Sequence, residues 1–284
     1  MPREHRRNSP PGRIALQKRL GQHLLTDPYF LESIVKAASL GSDDSILEIG
    51  PGPGNLTKHL LGAAARVAAV ELDRRFEPEL RRLEQGARGR LALFFTDILA
   101  FDFSALPALC RGPWKVLANI PYYISTPLIE KLLEHQGLFS HIYLTIQREL
   151  AERICAPGGS RDRGSFTFFV EYHAVPSLLI HIPAAAFTPP PEVDSSLIGL
   201  TIRETPPADS SPRLLFSIIR RAFAQRRKGI KNSLKGIQPV PGDRILSEVL
   251  RSCGIDPMAR PETLALADFD RLACLLERGG KTHE

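Results

Sequence analysis

Cysteine is scarce in this sequence, and its few thiols are scattered. The 284-residue chain has four cysteines, with no C-x-x-C pair and no histidine cluster beside them. Structural zinc sites usually show cysteine or histidine pairs at short spacings, and disulfide frameworks are typical of short, cysteine-dense secreted chains. The sequence therefore argues against both kinds of site. It predicts reduced thiols in a cytosolic protein that has no metal cofactor.

Long hydrophobic runs are missing as well. No apolar stretch reaches the roughly 18–20 residues that a membrane-spanning helix requires. Residues 1–11 are polar and basic and lack the apolar stretch of a secretory signal. We therefore expect no membrane partner and a cytoplasmic location. A transit peptide within the arginine-rich residues 1–19 is the alternative that the sequence leaves open.

Acidic residues are absent from residues 210–242, a segment that holds eight arginines and lysines in a chain of net charge +6. Solvated helix faces usually mix both signs of charge. A segment of one sign therefore indicates contact with a phosphate backbone. The residues that we predict to make these contacts are Arg220, Arg221, Arg226, Arg227, Lys228 and Lys231.

What the sequence does contain is a regular alternation of strand and helix patterns. Strands are predicted at 45–49, 67–70, 91–95, 116–118 and 142–146. Helices are predicted to begin at Pro28, behind an Asp27 N-cap, and at Asn55, and to cover 74–85 and 126–133. This alternation predicts an α/β fold with a parallel, doubly wound, Rossmann-like sheet and helices on both faces.

The second half of the chain has a different pattern. Strands are predicted at 166–172 and 196–202, a linker at 206–212, and helices at 213–224, 244–253 and 269–278. We therefore expect three parts: a flexible basic arm at 1–19, an α/β domain at 20–205, and a small helical domain at 206–284 that binds the nucleic acid.

Four polar or glycine positions follow the carboxyl ends of predicted strands, and these are Gly50, Glu71, Asp97 and Asn119. Ligands of open α/β sheets bind at this edge. A carboxylate at position 71 can accept both hydroxyls of a ribose, and one at position 97 can accept an adenine amino group. A helix N-terminal acid and a turn residue are the structural alternatives for these two positions.

The turn after the first of these strands reads G-P-G-P-G. Gly50 and Gly52 let a ligand approach the backbone, and the helix that follows favours negative charge at its N-terminus. A dinucleotide site would read G-x-G-x-x-G, whereas Asn55 stands at the last glycine position. The spacing argues against a nicotinamide dehydrogenase. It fits the carboxylate-bearing end of S-adenosylmethionine.

The sequence N-I-P-Y at 119–122 can grip an exocyclic amine and its ring. Asn119 offers a side-chain carbonyl oxygen to one N–H. Ile120 precedes Pro121 and is therefore biased towards an extended conformation, in which its own carbonyl can accept the second N–H. Tyr122 offers a flat face for stacking, worth roughly 1–3 kcal/mol per base. The motif therefore suits an adenine whose N6 attacks a methyl group, although a strand end followed by a turn would read the same.

Together these motifs resemble the rRNA adenine N6-dimethyltransferases and, within that family, the bacterial small-subunit enzymes. The resemblance spans roughly residues 16–240 and keeps the order of the motifs. They lie at 18–27, 48–54, 70–73, 97, 119–126, 187–195 and 226–235. It implies a monomeric, cytoplasmic, class I methyltransferase that places two methyls on N6 of each of two adjacent adenosines near the 3′ end of 16S rRNA, in the small ribosomal subunit or its precursor.

The resemblance also implies roles for single residues. The cofactor positions would be His23, Leu25, Gly50, Gly52, Glu71, Asp97 and Asn119. The target adenine would meet Asn119, Ile120, Pro121 and Tyr122, with Phe187 covering its other face. The chain departs from the usual pattern at His23, Leu24 and Tyr123, where asparagine, phenylalanine and asparagine are common. A histidine at position 23 adds the possibility of pH sensitivity.

Two other functions fit parts of the pattern. A large-subunit rRNA methyltransferase that confers macrolide resistance also carries N-I-P-Y. A ribosome assembly factor could keep the fold and bind RNA without chemistry. The F-T-P-P-P run at 187–191 and the basic segment at 226–235 favour the small-subunit enzyme over the first alternative. The intact Glu71 and N-I-P-Y motif argue against the second.

Overall fold

The computed structural model describes residues 22–110, 112–225, 228–236 and 243–280. In chain order the elements are β1 (Leu24–Leu25), α1 (Pro28–Ala37), β2 (Ser45–Ile49), α2 (Asn55–Ala63), β3 (Arg66–Glu71), α3 (Glu77–Gly86), β4 (Leu91–Phe95), α4 (Ala105–Leu109), β5 (Trp114–Asn119), α5 (Ser125–Glu134), β6 (Phe139–Gln147), α6 (Arg148–Ile154), α7 (Ser165–His173), β7 (Ala174–Ile182), β8 (Phe187–Thr188), β9 (Ser195–Ile202), α8 (Pro212–Ala224), α9 (Ile230–Ser233), α10 (Asp243–Ser252) and α11 (Leu266–Gly280).

The chain divides into two compact units. One comprises Met1–Ile129 with Pro183–Val193, and the other comprises Glu130–Ile182 with Asp194–Glu284. The predicted basic arm lies outside the described residues. The predicted domain boundary near residue 205 stays a prediction. None of the helices in the described ranges has the length and apolarity that crossing a membrane requires.

The first unit is built on four parallel strands in the order β4-β3-β2-β5. The central strand β2 is buried along its whole length, as expected for a strand covered on both faces. The chain proceeds from β2 through β3 to β4 on one side and then returns to place β5 on the other side of β2. Ligands of doubly wound sheets bind at such a reversal of strand order. The predicted doubly wound α/β sheet is confirmed in this unit.

The helix boundaries of this unit follow from local chemistry. The Asp27 carboxylate accepts the Tyr29 N–H at 2.9 Å and caps α1, and Pro28 occupies its first position. The predicted helix 74–85 is divided. A 3-10 turn at Arg74–Phe76, capped by Asp73, precedes α3, which has Pro78 in its first turn.

The second unit has antiparallel strands, so the expectation of a parallel sheet does not hold there. Strand β9 lies between β6 and β7, with Ile198 opposite both Leu144 and Leu178. Strand β7 is not predicted from the sequence. It contains Pro176 and lacks a clean alternation of buried and exposed residues, and both features obscure an edge strand.

The predicted strand 166–172 is wrong, because this segment forms α7. Its aromatic and β-branched residues favour a strand in isolation. Phe168 and Tyr172, four residues apart, are both buried on the helical core of the second unit. The Phe168 ring centroid lies 5.4 Å from that of Phe223 and 5.1 Å from that of Phe269. Tertiary packing therefore outweighs local propensity.

Helix α8 supplies the centre of that core. Leu215, Ile218, Ile219 and Ala222 are fully buried, whereas Arg220 and Arg221 are exposed. The apolar residues at helical spacing thus fix which face of α8 is inside. The basic side chains are left on the outer face, as the charge pattern predicts.

Candidate functional site

A cavity in the first unit brings together residues at the carboxyl ends of its four parallel strands. Gly50, Glu71, Asp97 and Asn119 all line it. They come from β2, β3, β4 and β5, whose carboxyl ends meet at one edge of the sheet. The structure therefore assembles the four positions that the strand pattern singled out.

Glu71 is held by the backbone on both sides of its carboxylate. One oxygen accepts the Gly52 N–H at 2.9 Å and the other accepts the Asp73 N–H at 2.7 Å. Burial raises the pKa of this carboxyl, and the two N–H donors offset part of the rise. Each oxygen keeps a lone pair for a further donor, so the group is suited to a pair of ribose hydroxyls.

The glycine turn is formed by residues that no larger side chain could replace without strain. Gly50, Gly52 and Gly54 have φ values of +70°, +56° and +86°. A Cβ atom at Gly54 would lie 2.3 Å from the Leu83 side chain, and one at Gly52 would lie 2.9 Å from the Leu24 side chain. Glycine is therefore required because the turn is tight and its φ values are positive. Helix α2 begins directly after the turn.

Glu48 lies in β2 just before the turn and is almost completely buried. Burial raises the pKa of its carboxyl to about 8, and the negative charge of Glu71 adds to the rise. Its Oε2 atom has no hydrogen-bond partner among the described residues. The carboxyl is therefore mainly protonated at neutral pH. The sequence placed Glu48 in the motif but did not reveal this property.

Asn119 ends β5 with its side chain fixed in one direction. Its Nδ2 donates to the backbone carbonyl of His23 at 3.0 Å. Across the described ranges, nothing donates to Asn119 Oδ1 or to the carbonyl oxygen of Ile120. Two acceptors are thus available at the start of the N-I-P-Y motif.

Aromatic rings stand beside these acceptors. The Tyr122 and His23 rings are stacked with centroids 6.0 Å apart and an angle of 18° between their planes. Both residues line the cavity, as does Tyr123, which is 61% exposed. His23 Nδ1 lies 2.8 Å from the carbonyl oxygen of Pro189. The histidine at the position where the family usually has asparagine is therefore part of the cavity wall.

Leu25 and Phe187 lie behind the cavity lining. They face each other in the short antiparallel pair of β1 and β8, and both are buried. The Leu25 carbonyl accepts a hydrogen bond from Asn55 Nδ2 at 3.2 Å. Neither residue is part of the lining, so their predicted roles toward cofactor and target base stay predictions.

Asp97 is exposed and has one oxygen engaged. Oδ1 accepts the Leu99 N–H at 2.9 Å, which fixes the turn after β4. The side chain lines the same cavity as Glu71. The turn role and an amino-group acceptor role are therefore compatible, because a carboxylate has two oxygens.

The predicted phosphate contacts lie in the second unit. Arg220 and Arg221 extend from α8, Lys228 follows it, and Lys231 lies in α9. Arg221 donates to the carbonyl oxygen of Lys235 at 3.3 Å. The remaining two residues of the set, Arg226 and Arg227, lie outside the described residues.

Gln22 and Asp73 also line the cavity, although neither is predicted from the sequence to have a site role. Gln22 Nε2 donates to Asp73 Oδ2 at 2.8 Å across a separation of 51 residues. Both belong to motifs that carry the family resemblance, which is the signal that could have marked them. Their contact with each other is visible only in three dimensions.

Comparisons with known proteins identify the family. A sequence profile of the family described as ribosomal RNA adenine dimethylase matches residues 14–271. Ribosomal RNA small subunit methyltransferase A of Pseudomonas aeruginosa is 40% identical over 258 residues, which cover 90% of this chain and 93% of that protein. The protein of the same name from Pelotomaculum thermopropionicum is 38% identical over 278 residues and covers 94% of each chain.

Solved structures show the same fold. A dimethyladenosine transferase from Plasmodium falciparum matches with a TM-score of 0.78 and 27% identity, covering 91% of this chain and 98% of that chain. The 23S rRNA methyltransferase ErmE matches with a TM-score of 0.72 and 23% identity, covering 89% and 99%, and this similarity concerns the fold alone. The Rossmann-like methyltransferase fold is therefore confirmed.

Proposed function

The chain belongs to the ribosomal RNA adenine dimethylase family, and on that premise we propose how its site works. The protein is an S-adenosylmethionine-dependent methyltransferase that dimethylates adenine N6 in the RNA of the small ribosomal subunit. We propose that its targets are two adjacent adenosines near the 3′ end of that RNA. The observation that carries the proposal is the convergence of Glu71, Asp97 and Asn119 in one cavity.

The residues present fit the cofactor that the family implies. The Glu71 carboxylate would accept the ribose hydroxyls while the N–H groups of Gly52 and Asp73 hold it in place. Asp97 would accept the adenine amino group. The glycine turn and the N-terminus of α2 would face the amino acid end. When bound, the cofactor supplies a sulfonium methyl group.

The target amine would be held by Asn119 and Ile120. Asn119 Oδ1 and the Ile120 carbonyl oxygen would each accept one N–H, which directs the nitrogen lone pair towards the methyl donor. The bond from Asn119 Nδ2 to the His23 carbonyl keeps Oδ1 pointing at the amine. The Tyr122 ring, nearly parallel to the His23 ring in the cavity wall, would stack on the target base.

Catalysis would depend on positioning rather than on a strong base. Methyl transfer leaves N6 positively charged, and N6 then releases a proton to water. Asn119 and Ile120 would lower the barrier by in-line alignment and by their fixed dipoles. The second transfer requires the site to accept an amine that has one N–H and one methyl group.

The substrate would be held through its phosphates by the outer faces of α8 and α9. Arg220, Lys228 and Lys231 form no ion pair within the ranges that the structure describes. Uncompensated cations of this kind release counterions when they contact RNA. We expect a monomer that acts in the cytoplasm and uses no metal.

Transfer to isolated ribosomal subunits tests this proposal. The protein is incubated with radiolabelled S-adenosylmethionine and small subunits from a strain that lacks adenine dimethylation, with large subunits as control. We expect label on the small-subunit RNA only. Label on the large subunit would indicate the resistance enzyme, and tight small-subunit binding without label would indicate an assembly factor.

A further inference from the structure

A short segment before α1 crosses the cavity, and we call residues 22–26 the strap. Gln22, His23 and Leu24 line the cavity directly. The following residues are fixed to β8, because Leu24 pairs with Thr188 and Leu25 with Phe187. The Thr26 N–H donates to the Ala186 carbonyl at 3.1 Å. The C-terminal part of the strap is therefore anchored by backbone hydrogen bonds.

The strap begins at a network of three side chains, which we call the latch. The latch consists of Gln22, Asp73 and Arg75. Gln22 Nε2 donates to Asp73 Oδ2 at 2.8 Å. The Arg75 guanidinium binds the same carboxylate through Nε at 2.9 Å and Nη2 at 2.5 Å, and its Nη2 also reaches Gln22 Oε1 at 3.4 Å. Gln22 and Arg75, which come from distant segments of the chain, thus bind the same carboxylate of Asp73.

The latch is continuous with the proposed cofactor carboxylate. The backbone N–H of Asp73 donates to Glu71 Oε1 at 2.7 Å, while Gly52 donates to the other oxygen. Asp73 therefore binds the strap with its side chain and Glu71 with its backbone. A shift of Asp73 would move the ribose acceptor and release Gln22 together.

The strap is also connected to the proposed methyl acceptor site. The residue after Gln22 is His23, whose carbonyl accepts the hydrogen bond from Asn119 Nδ2. The Leu24 side chain occupies the space beside Gly52, where a Cβ atom would approach it to 2.9 Å. The strap thus contacts both the glycine turn and the N-I-P-Y motif.

The Asp73 carboxylate of the latch stays charged over the working pH range. Hydrogen bonding to Arg75 lowers the pKa of Asp73 to about 2, and Gln22 contributes in the same direction. Asp73 therefore stays ionised from mildly acidic to alkaline pH. The latch is a constant structural restraint and not a pH switch.

We infer that Asp73 and Gln22 are positioning residues that set cofactor affinity by holding the strap across the cavity. This inference rests on the proposed function of the same cavity. It separates two roles in the site. Glu71 and Asp97 would touch the cofactor, whereas Asp73 and Gln22 act through the strap and through Glu71. Loss of the latch should weaken cofactor binding and leave the rate of transfer from bound cofactor nearly unchanged.

Two variants of the full-length protein test the inference. Gln22→Met keeps the side-chain length and removes both hydrogen bonds to the latch. Asp73→Asn keeps the size and removes the negative charge that Arg75 binds. We expect the dissociation constant for S-adenosylhomocysteine to rise about threefold to tenfold in Gln22→Met, because only the 2.8 Å bond to Asp73 is short and the 3.4 Å contact with Arg75 adds little. The rise should be larger in Asp73→Asn.

Matched controls come from the same unit. Gln85→Met changes an exposed glutamine of α3, and Asp102→Asn changes an acid that caps the Ser104 N–H at 2.9 Å. Both should bind the ligand as the wild type does. The double variant Gln22→Met/Asp73→Asn should show less than the sum of the two single effects, because both changes break the same contact.

Titration calorimetry with S-adenosylhomocysteine needs no RNA, so it separates the possible failures. If the wild type does not bind the ligand, the proposed function fails and the inference fails with it. If the wild type binds and folded Gln22→Met binds equally well, only the inference is overturned. In methyl transfer assays, KM for the cofactor should rise while kcat changes less than about twofold. A fall in kcat at unchanged KM would also overturn it.

Discussion

The cavity of the first unit and the basic face of α8 and α9 are built on different principles. In the cavity, backbone N–H groups and neighbouring side chains fix each polar group, as Gly52 and Asp73 do for Glu71. On the basic face, apolar packing fixes the helix while Arg220 stays exposed and outside any described ion pair. Transfer between two atoms needs fixed geometry, whereas attraction to a polyanion needs charge. The comparison predicts that single changes in the cavity cost far more than single changes on the basic face.

The largest effect should come from Asn119→Ala. The change removes an amine acceptor and leaves the backbone and the basic face intact, so methyl transfer should fall at least about 100-fold. RNA affinity should stay within about twofold. Single-turnover rates and filter binding measured on the same preparations check this. Transfer at the wild-type rate would exclude the amine-gripping role.

Tyr122→Leu should have the next largest effect. Loss of stacking on the target base corresponds to about 1–3 kcal/mol, or roughly fivefold to 150-fold in kcat/KM. Tyr122→Phe is the matched control, because it keeps the ring and should retain most of the activity. If the phenylalanine and leucine variants are equally impaired, the hydroxyl and not the ring matters, and the stacking role is wrong.

Glu48→Gln tests whether the buried carboxyl of Glu48 lowers the stability of the protein as the pH rises. The pKa of Glu48 is raised from its ordinary value of 4.5 to about 8. The stabilising effect of the neutral carboxyl is therefore complete below pH 4.5 and is lost as the pH rises through about 8. Relative to Glu48→Gln, wild-type stability should thus fall as the pH rises between these values, by up to about 5 kcal/mol.

Urea unfolding at several pH values measures this difference. Glu32→Gln, which changes an exposed acid of α1, is the control and should follow the wild type. The second unit has no comparable buried acid among its described residues, so variants of α8 should show the same pH dependence as the wild type. Parallel pH dependence of wild type and Glu48→Gln would contradict the account.

The smallest effect should come from single charge changes on the basic face. Arg220→Ser should weaken RNA binding a few-fold and reduce the slope of log K against log salt by about 0.9 or less, the value for one phosphate contact. Arg82→Ser, at an exposed arginine of α3, is the matched control. An unchanged slope in Arg220→Ser would place the RNA contacts elsewhere.

The fold was predictable where buried strands have clear ends. β2 and β4 have the predicted bounds because their apolar runs stop at glycine and at polar residues. The helix α7 was predicted as a strand, since the sequence does not show that Phe168 packs between Phe223 and Phe269. Edge strand β7 was missed because Pro176 and exposed apolar residues disguise it.

The candidate site could likewise be predicted only in part. The topology alone places Gly50, Glu71, Asp97 and Asn119 at one edge, since each lies at the carboxyl end of a parallel strand. The contact between Gln22 and Asp73, 51 residues apart, depends on where the strap crosses, which no local pattern encodes. The raised pKa of Glu48 is likewise a consequence of burial and not of residue type.

The most direct test of the central claim is the identity of the product. Small subunits lacking adenine dimethylation are incubated with S-adenosylmethionine and either wild-type protein or Asn119→Ala, and the digested rRNA is analysed by mass spectrometry. The account predicts two adjacent N6,N6-dimethyladenosines with the wild type and none with Asn119→Ala, although both proteins bind the subunit. Absence of dimethyladenosine with the wild type, or equal amounts with both proteins, would contradict it.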